Sequence, residues 1–255
     1  MWDKVDSILR RMTPITLSQM NDIHLMNRLD FKFAAPVNLL PDVLEEMMPD
    51  FMVQEINNNR ISPYFTQYFD TPDMGFYLMH QNGKLNRQKI RIRSYIDSNL
   101  SFLEVKNKNN KGWTNKFRIP FDSQRINSIE DLNGEKKFLA NHSLFDVNSL
   151  IPALENSFRR ITFVDNEKTE RITIDTDISF FNYKTRREEQ TGPLMVLELK
   201  QGGWSHSHFR DIMNKLIIRQ NSISKYCLGI VLTDSGVKYN GFKKQLIQLN
   251  KFLNQ

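Results

Sequence analysis

The chain has 255 residues, 40% of them hydrophobic and 25% charged, which is long enough to bury a core and within the range of a globular protein in water. A single cysteine, Cys227, excludes an intramolecular disulfide. No run reaches the ~18 apolar residues of a bilayer span, and MWDKVDSILRRM lacks a signal-peptide core, so a cytoplasmic protein is expected. The 35 Lys and Arg against 29 Asp and Glu give a net charge of +6, which favours a polyanionic partner.

Trp2–Met12 and Thr16–Met26 read as helices, the second with Thr16 and Gln19 at capping-box spacing. Arg28–Ala35 then alternates Arg28, Asp30 and Lys32 with Leu29, Phe31 and Phe33, the period of a strand with two unlike faces. Pro36–Met48 reads as a helix, Phe51–Asn57 and Ile61–Asp70 as strands, and Asp73–His80 as a short helical or irregular piece. Asn82-Gly83 turns the chain into its central stretch, Leu85–Phe121. Three runs there alternate in the same way. One face carries Lys89, Arg91, Arg93, Glu104, Lys106, Lys108, Lys116 and Arg118, and the other carries Ile90, Ile92, Leu103, Val105, Phe117 and Ile119.

Ser128–Ala140 and Val147–Asn156 read as helices. Ser157–Val164, Thr169–Asp177, Ile178–Arg187 and the alternating Leu194–Gln201 read as strands. His206–Arg219, entered from Ser205 as N-cap, Ser224–Leu232 and the amphipathic Phe242–Leu253 complete the chain as helices. A single α+β domain with about eight to ten antiparallel strands is the economical reading.

Each helix has an apolar stripe to bury, so the helices are expected to cover the apolar faces of the strands. If the sheet closes into a barrel, the charged face becomes its lumen, inverted relative to the apolar interior of an ordinary soluble barrel. That lumen would collect Lys32, Lys89, Arg91, Arg93, Lys106, Lys116, Arg118, Arg160, Arg171 and Lys200 against Asp30, Glu104, Asp175 and Glu198. Like charges so close repel by several kcal/mol per pair at moderate dielectric, which predicts a linear polyanion such as triphosphate or polyphosphate as ligand. Phe31, Phe33 and Phe117 fall on the apolar face rather than among the cations, which argues against nucleic acid. No P-loop occurs, His206 and His208 read as surface residues, and Cys227 reads as buried and inert.

The ordered motifs RLDFKF, YFDTPDMGFY, HQNGKLNRQKIRIRSY, FLEVKNKNNKGWTNKFRI, RRITF, RITIDTDISF, LELK and SKYCLG resemble the VTC domain of polyphosphate polymerases, a branch of the triphosphate tunnel metalloenzymes. The resemblance runs from about Thr16 to Gly229. It implies an antiparallel eight-stranded β-barrel tunnel with helices outside, preceded by an N-terminal helical segment over residues 1–27. It is similar to a stand-alone bacterial member, with neither an SPX domain nor transmembrane segments.

By resemblance, Lys32, Arg91, Arg93, Lys106, Arg160, Arg171, Lys200 and Lys225 match phosphate-binding positions, and Lys116 matches a further tunnel lysine. Lys89 and Arg118 join them from the alternation alone. Catalysis is expected of Arg91, Arg93, Lys106, Arg160, Arg171 and Lys200. Glu198 matches a metal-binding carboxylate, with Glu104 and Asp175 as possible helpers for Mg²⁺ or Mn²⁺. The substrates implied are ATP and inorganic polyphosphate or triphosphate. Arg28 stands where the hydrolase branch has the first Glu of E-x-E-x-K, which weakens a thiamine-triphosphatase or adenylate-cyclase reading. Ser222-Ile223-Ser224 lacks a lysine found before Lys225 in the eukaryotic polymerases. A polyphosphate hydrolase and a non-catalytic polyanion binder stay open as alternatives.

Overall fold

The alternating stretches pair into one sheet. In the computed structural model, which describes every residue except 22, 24–27, 112, 126–132, 204 and 254–255, eleven strands join it. They are β1 (Pro14–Thr16), β2 (Arg28–Pro36), β3 (Phe51–Glu55), β4 (Ser62–Asp70), β5 (Arg87–Tyr95), β6 (Leu100–Lys108), β7 (Thr114–Pro120), β8 (Ile151–Asp165), β9 (Glu170–Asn182), β10 (Glu188–Gln190) and β11 (Leu194–Gly202). Eight of them form the main path in the order β2-β11-β9-β8-β4-β5-β6-β7, every neighbour antiparallel, while β1, β3 and β10 attach at its side. The helices are α1 (Trp2–Arg11), α2 (Leu17–Asn21), α3 (Leu40–Met47), α4 (Gly75–Gln81), α5 (Asn133–His142), α6 (His208–Lys215), α7 (Lys225–Thr233) and α8 (Lys243–Leu253). No described helix is long and apolar enough to cross a membrane.

The period-two pattern decides which face each side chain takes. Phe33, Ile161, Phe163, Ile172, Ile174, Leu197 and Leu199 form one apolar core with Val5, Ile8 and Leu9 of α1, Leu40, Val43, Leu44 and Met47 of α3, and Phe209, Ile212 and Met213 of α6. Phe69, Ile90, Ile92, Leu103 and Val105 form a second with Phe76 of α4 and Leu139 of α5. The helices therefore cover the apolar face, which leaves the charged face on the other side.

Two apolar clusters reach that charged face. At one end Ala34, Tyr64, Tyr68, Phe158 and Val196 pack against Tyr226, Cys227, Leu228 and Ile230 of α7. Elsewhere Val164 packs with Ile15, Met20 and Ile23 of the N-terminal segment.

The closed barrel expected from the sequence is not formed. β2 and β7 end the path, and among the described residues no ladder joins them. Part of the free edge of β2 is taken by the loop before α7 instead, through a bridge between Phe33 and Gln220 and a bond from the Asn221 N–H to the Lys32 carbonyl at 2.7 Å. An edge whose backbone groups are already satisfied has nothing to offer β7.

Smaller corrections have similar causes. Val147–Asn156 is not a helix. It is a 3₁₀ turn, Val147–Ser149, followed by β8, whose residues from Ile151 onward pair with β4, so tertiary pairing overrides a helix-compatible composition. The two strands expected over 169–187 are one, β9, bent where Asp177 takes φ +51° beside a register shift opposite Ser157 and Arg159. The expected helix Thr16–Met26 is a strand end plus the short α2, with residues 22 and 24–27 outside the described set. The first residues of the expected helix Ser128–Ala140 lie outside it too, and α5 begins at Asn133. The N-cap before α6 is Ser207, whose Oγ accepts from the Arg210 N–H, rather than Ser205.

Candidate functional site

Register assembles the charged face. Lys89 lies opposite Lys106, Arg91 opposite Glu104 and Arg93 opposite Phe102 on β5 and β6, while Lys116 and Arg118 of β7 stand opposite Lys106 and Glu104. From the other half of the path, Lys32 faces Glu198, Lys200 faces Arg171 and Arg160 faces Asp175. α7 adds Lys225 at its first turn.

Three carboxylates anchor this array. Glu104, fully buried, accepts from Arg91 Nε at 2.8 Å and Nη2 at 2.7 Å and also pairs with Lys116. Burial opposes its charge, yet Arg91, Arg93 and Lys116 outweigh burial and hold its carboxyl at about 2. Asp175 takes a two-pronged contact from Arg160, at 2.6 and 2.7 Å, and pairs with Lys225. Burial opposes its charge as well, but Arg160 and Lys225 keep it below the usual carboxylate range. Glu198 lies 3.1 Å from Lys200 Nζ and 3.7 Å from Lys32 Nζ. Against burial, Lys200, Lys32, Arg160 and Lys106 push it well below its ordinary value.

Other cations have no carboxylate partner. Arg93 bonds the Thr66 hydroxyl at 3.3 Å, Lys89 donates to Ser224 Oγ at 2.9 Å, and neither they nor Lys106 form an ion pair among the described residues. Burial, reinforced by Lys32, Arg91 and Arg87, lowers the Lys89 ammonium to about 8. Burial also lowers Lys106 to about 7, with Lys32 and Arg91 adding to the fall and Glu198 and Asp30 offsetting part of it. Lys32 on β2 and Lys106 on β6 stand far apart along the strand path, yet the charge of Lys32 helps to lower the Lys106 ammonium. The array is therefore one electrostatic unit.

Arg171 differs from the rest. Its Nη2 donates to the Met20 carbonyl at 2.7 Å and the Ile23 carbonyl at 3.3 Å, so its guanidinium is engaged by the N-terminal segment. Arg118 lays its guanidinium over the Phe102 ring, 4.5 Å from the centroid, rather than on Glu104. His206 pairs with Asp211 and His208 with Asp50 at the exposed start of α6. Cys227 is buried, its Sγ 3.0 Å from His80 Nδ1, and burial pushes the thiol up.

Sequence reasoning missed several members of the face. Ser224 caps α7 by accepting from the Cys227 N–H and at the same time receives Lys89. Tyr64, Tyr95, Phe102 and Phe158 share the face of Arg93 and Arg160. Tyr95 lies two positions beyond Arg93, and Phe102 two before Glu104, so the alternation that placed the cations carried the signal for these rings too.

The family model of the VTC domain matches residues 27–233. The chain belongs to the VTC domain family. No curated protein matches it. Among solved structures it is similar to a Hippeastrum protein provisionally named an adenylyl cyclase, with a dominant triphosphatase activity, at 14% identity over 84% of this chain and 100% of that one, TM-score 0.49. It is also similar to a Vibrio parahaemolyticus protein provisionally named an adenylate cyclase, at 12% identity over 80% and 99%, TM-score 0.45. A Pyrococcus horikoshii protein is similar at 15% identity over 80% and 98%, TM-score 0.42.

Membership of the VTC domain family supports a polyphosphate- or nucleotide-processing role and, in general terms, a metal-dependent chemistry. The described residues hold no group of three or more His, Cys, Asp and Glu able to ligate a metal. Glu104 and Asp175 each hold an arginine and a lysine, whereas Glu198 has two lysines, Lys200 at 3.1 Å and Lys32 at 3.7 Å. Glu198 fits a divalent cation as a single carboxylate anchor, since Mg²⁺ and Mn²⁺ commonly take one or two protein carboxylates and complete their shell with substrate phosphates and water.

Proposed function

We propose that this VTC domain transfers the γ-phosphoryl group of ATP to the end of a growing inorganic polyphosphate chain on its cationic face. The observation that carries the reading is the set Lys89, Arg93 and Lys106, gathered on one face without carboxylate partners and two of them with lowered ammonium pKa values. Such a set is relieved by a polyanion and by little else.

The terminal oxygen of the acceptor chain is the nucleophile, so no protein nucleophile is required. The work left to the protein is to hold donor and acceptor in line and to neutralise charge on the transferred group. Arg91 and Arg160, fixed by Glu104 and Asp175, are pre-oriented to meet phosphate oxygens through their remaining N–H groups, and Arg93 is free to do so by both prongs. Lys32, Lys89, Lys106, Lys200 and Lys225 act as point charges along the phosphates, with Lys116 at the rim. Glu198 would hold a Mg²⁺ or Mn²⁺ ion, which would supply charge neutralisation for the phosphates.

The test is incubation of the protein with ATP and Mn²⁺ or Mg²⁺, followed by a gel that resolves phosphate polymers. Lengthening chains, lost in Glu198→Ala while metal-free tripolyphosphate binding survives, are expected. Shortening of added polyphosphate with no synthesis would make the protein a hydrolase, and binding without turnover would make it a receptor.

A further inference from the structure

One end of the charged face is aromatic. Tyr64 stands opposite Tyr95 on β5 and opposite Phe158 on β8, with ring centroids 5.1 and 5.3 Å apart. Phe102 meets Tyr95 edge-on at 6.1 Å and stands directly opposite Arg93. Tyr64 and Phe158 are buried, whereas Tyr95 and Phe102 are only half-buried and present ring surface to the charged side. The aromatic end is continuous with the phosphate-binding array. Tyr95 follows Arg93 by one two-residue repeat, about 7 Å along the strand.

We propose that Tyr95 and Phe102, with the exposed guanidinium of Arg118, form a stacking platform for the base of a nucleoside triphosphate whose phosphates lie on Arg91, Arg93 and Lys106. This inference rests on the phosphate-binding reading above and adds the selection of a nucleotide over an inorganic chain. Inorganic triphosphate has no use for aromatic surface. A base has two π faces, and stacking on an aromatic ring or on an arginine plane is worth on the order of ten- to a hundredfold in affinity while tolerating any base. Arg118 already demonstrates the tendency, since its exposed side chain lies on Phe102 although Glu104 is its cross-strand neighbour. A pyrimidine offers less stacking area than a purine, so adenine and guanine nucleotides are favoured, with little discrimination between them.

The experiment is calorimetric titration of the full chain, in metal-free buffer, with ATP, CTP and inorganic tripolyphosphate, comparing wild type with Tyr95→Ala and Phe102→Ala. ATP affinity is expected to fall about tenfold or more in either variant, with tripolyphosphate affinity within twofold of wild type. Tyr95→Phe should restore ATP binding. Phe102→Leu, which keeps most of the packed volume and removes the π face, serves where Phe102→Ala lowers the melting temperature. Equal losses for ATP and tripolyphosphate, or no loss for either, would overturn the platform and leave the rings as packing. Failure of tripolyphosphate to bind wild type would instead remove the phosphate-binding reading, and this inference with it.

Discussion

Lys106 gives the sharpest test of the cationic face, because burial, reinforced by Lys32 and Arg91, lowers its ammonium where no ion pair holds it among the described residues. With its ammonium at about 7, roughly half of it is protonated at pH 7 and about 1% at pH 9. A bound polyphosphate restores the proton. Affinity for tripolyphosphate must therefore fall by roughly fiftyfold across those two pH units from Lys106 alone, and Lys89, at about 8, steepens the fall. Tripolyphosphate sheds its own last proton within the same window, so Lys106→Arg, titrated alongside, gives the ligand's share of the pH dependence.

The sign for stability is opposite. The folded pKa of Lys106 lies below its unfolded value, so the unfolded chain binds more protons between about pH 7 and 10 and the free protein gains stability as pH rises through that window. Titration calorimetry at constant ionic strength, in metal-free buffers of different ionisation enthalpy, reads both the affinity and the protons taken up. Lys106→Arg fixes the charge and should flatten most of the slope. A Lys106→Arg protein whose pH dependence matches that of wild type would refute the argument.

Asp175→Asn removes the countercharge of Arg160 and Lys225 while keeping the shape, and should cost about 3–5 kcal/mol in urea unfolding, as breaking a buried pair does. Tripolyphosphate should then raise the melting temperature by more in the variant than in wild type, because the anion supplies the missing negative charge. Ser224→Ala deletes the α7 cap and the hydroxyl that receives Lys89, with an expected loss of about 0.5–2 kcal/mol and weaker anion binding by calorimetry. In α7, a Cβ at Gly229 would lie 2.5 Å from Leu154 and Phe180 side-chain atoms, so Gly229→Ala should destabilise by about 1–3 kcal/mol, seen as a lower melting temperature.

Much of the sheet was legible because its strands have two unlike faces. Lys89, Arg91 and Arg93 could only stand on the side opposite Ile90 and Ile92, and cross-strand pairing then set Arg91 against Glu104. What periodicity could not supply was the partner of an edge. Whether β2 met β7 depended on backbone groups of Lys32 that the chain around Asn221 claims instead, and no side-chain pattern records that competition. β8 was misread at its start because PALEN carries no alternation strong enough to betray a strand that is fixed by its pairing with β4 and β9. In the site, the cations were found and the aromatic end was not. Attention to charge passed over Tyr95 and Phe102 although they obey the same period as Arg93 and Glu104. Arg171 was also placed on the correct face, but the carbonyls of Met20 and Ile23 that engage it come from a distant segment.

The arrangement also explains how a face so rich in cations stays folded without its ligand. Each of the three carboxylates that anchor this face is flanked by two cations, so Glu104, Asp175 and Glu198 fix Arg91, Arg160 and Lys200 in place while every such nest keeps a net positive charge. The fixed guanidinium groups lose little freedom when a phosphate arrives, which lowers the entropic cost of binding. The unpaired Lys89 and Lys106 meet the same crowding differently, by releasing their protons at a pH where free lysines keep them. Arginine cannot do this, so Arg93, which has no ion-pair partner among the described residues either, keeps its charge while Lys89 and Lys106 shed theirs. Replacing a paired arginine by lysine therefore weakens orientation, and replacing an unpaired lysine by arginine raises the repulsion that the free protein must carry.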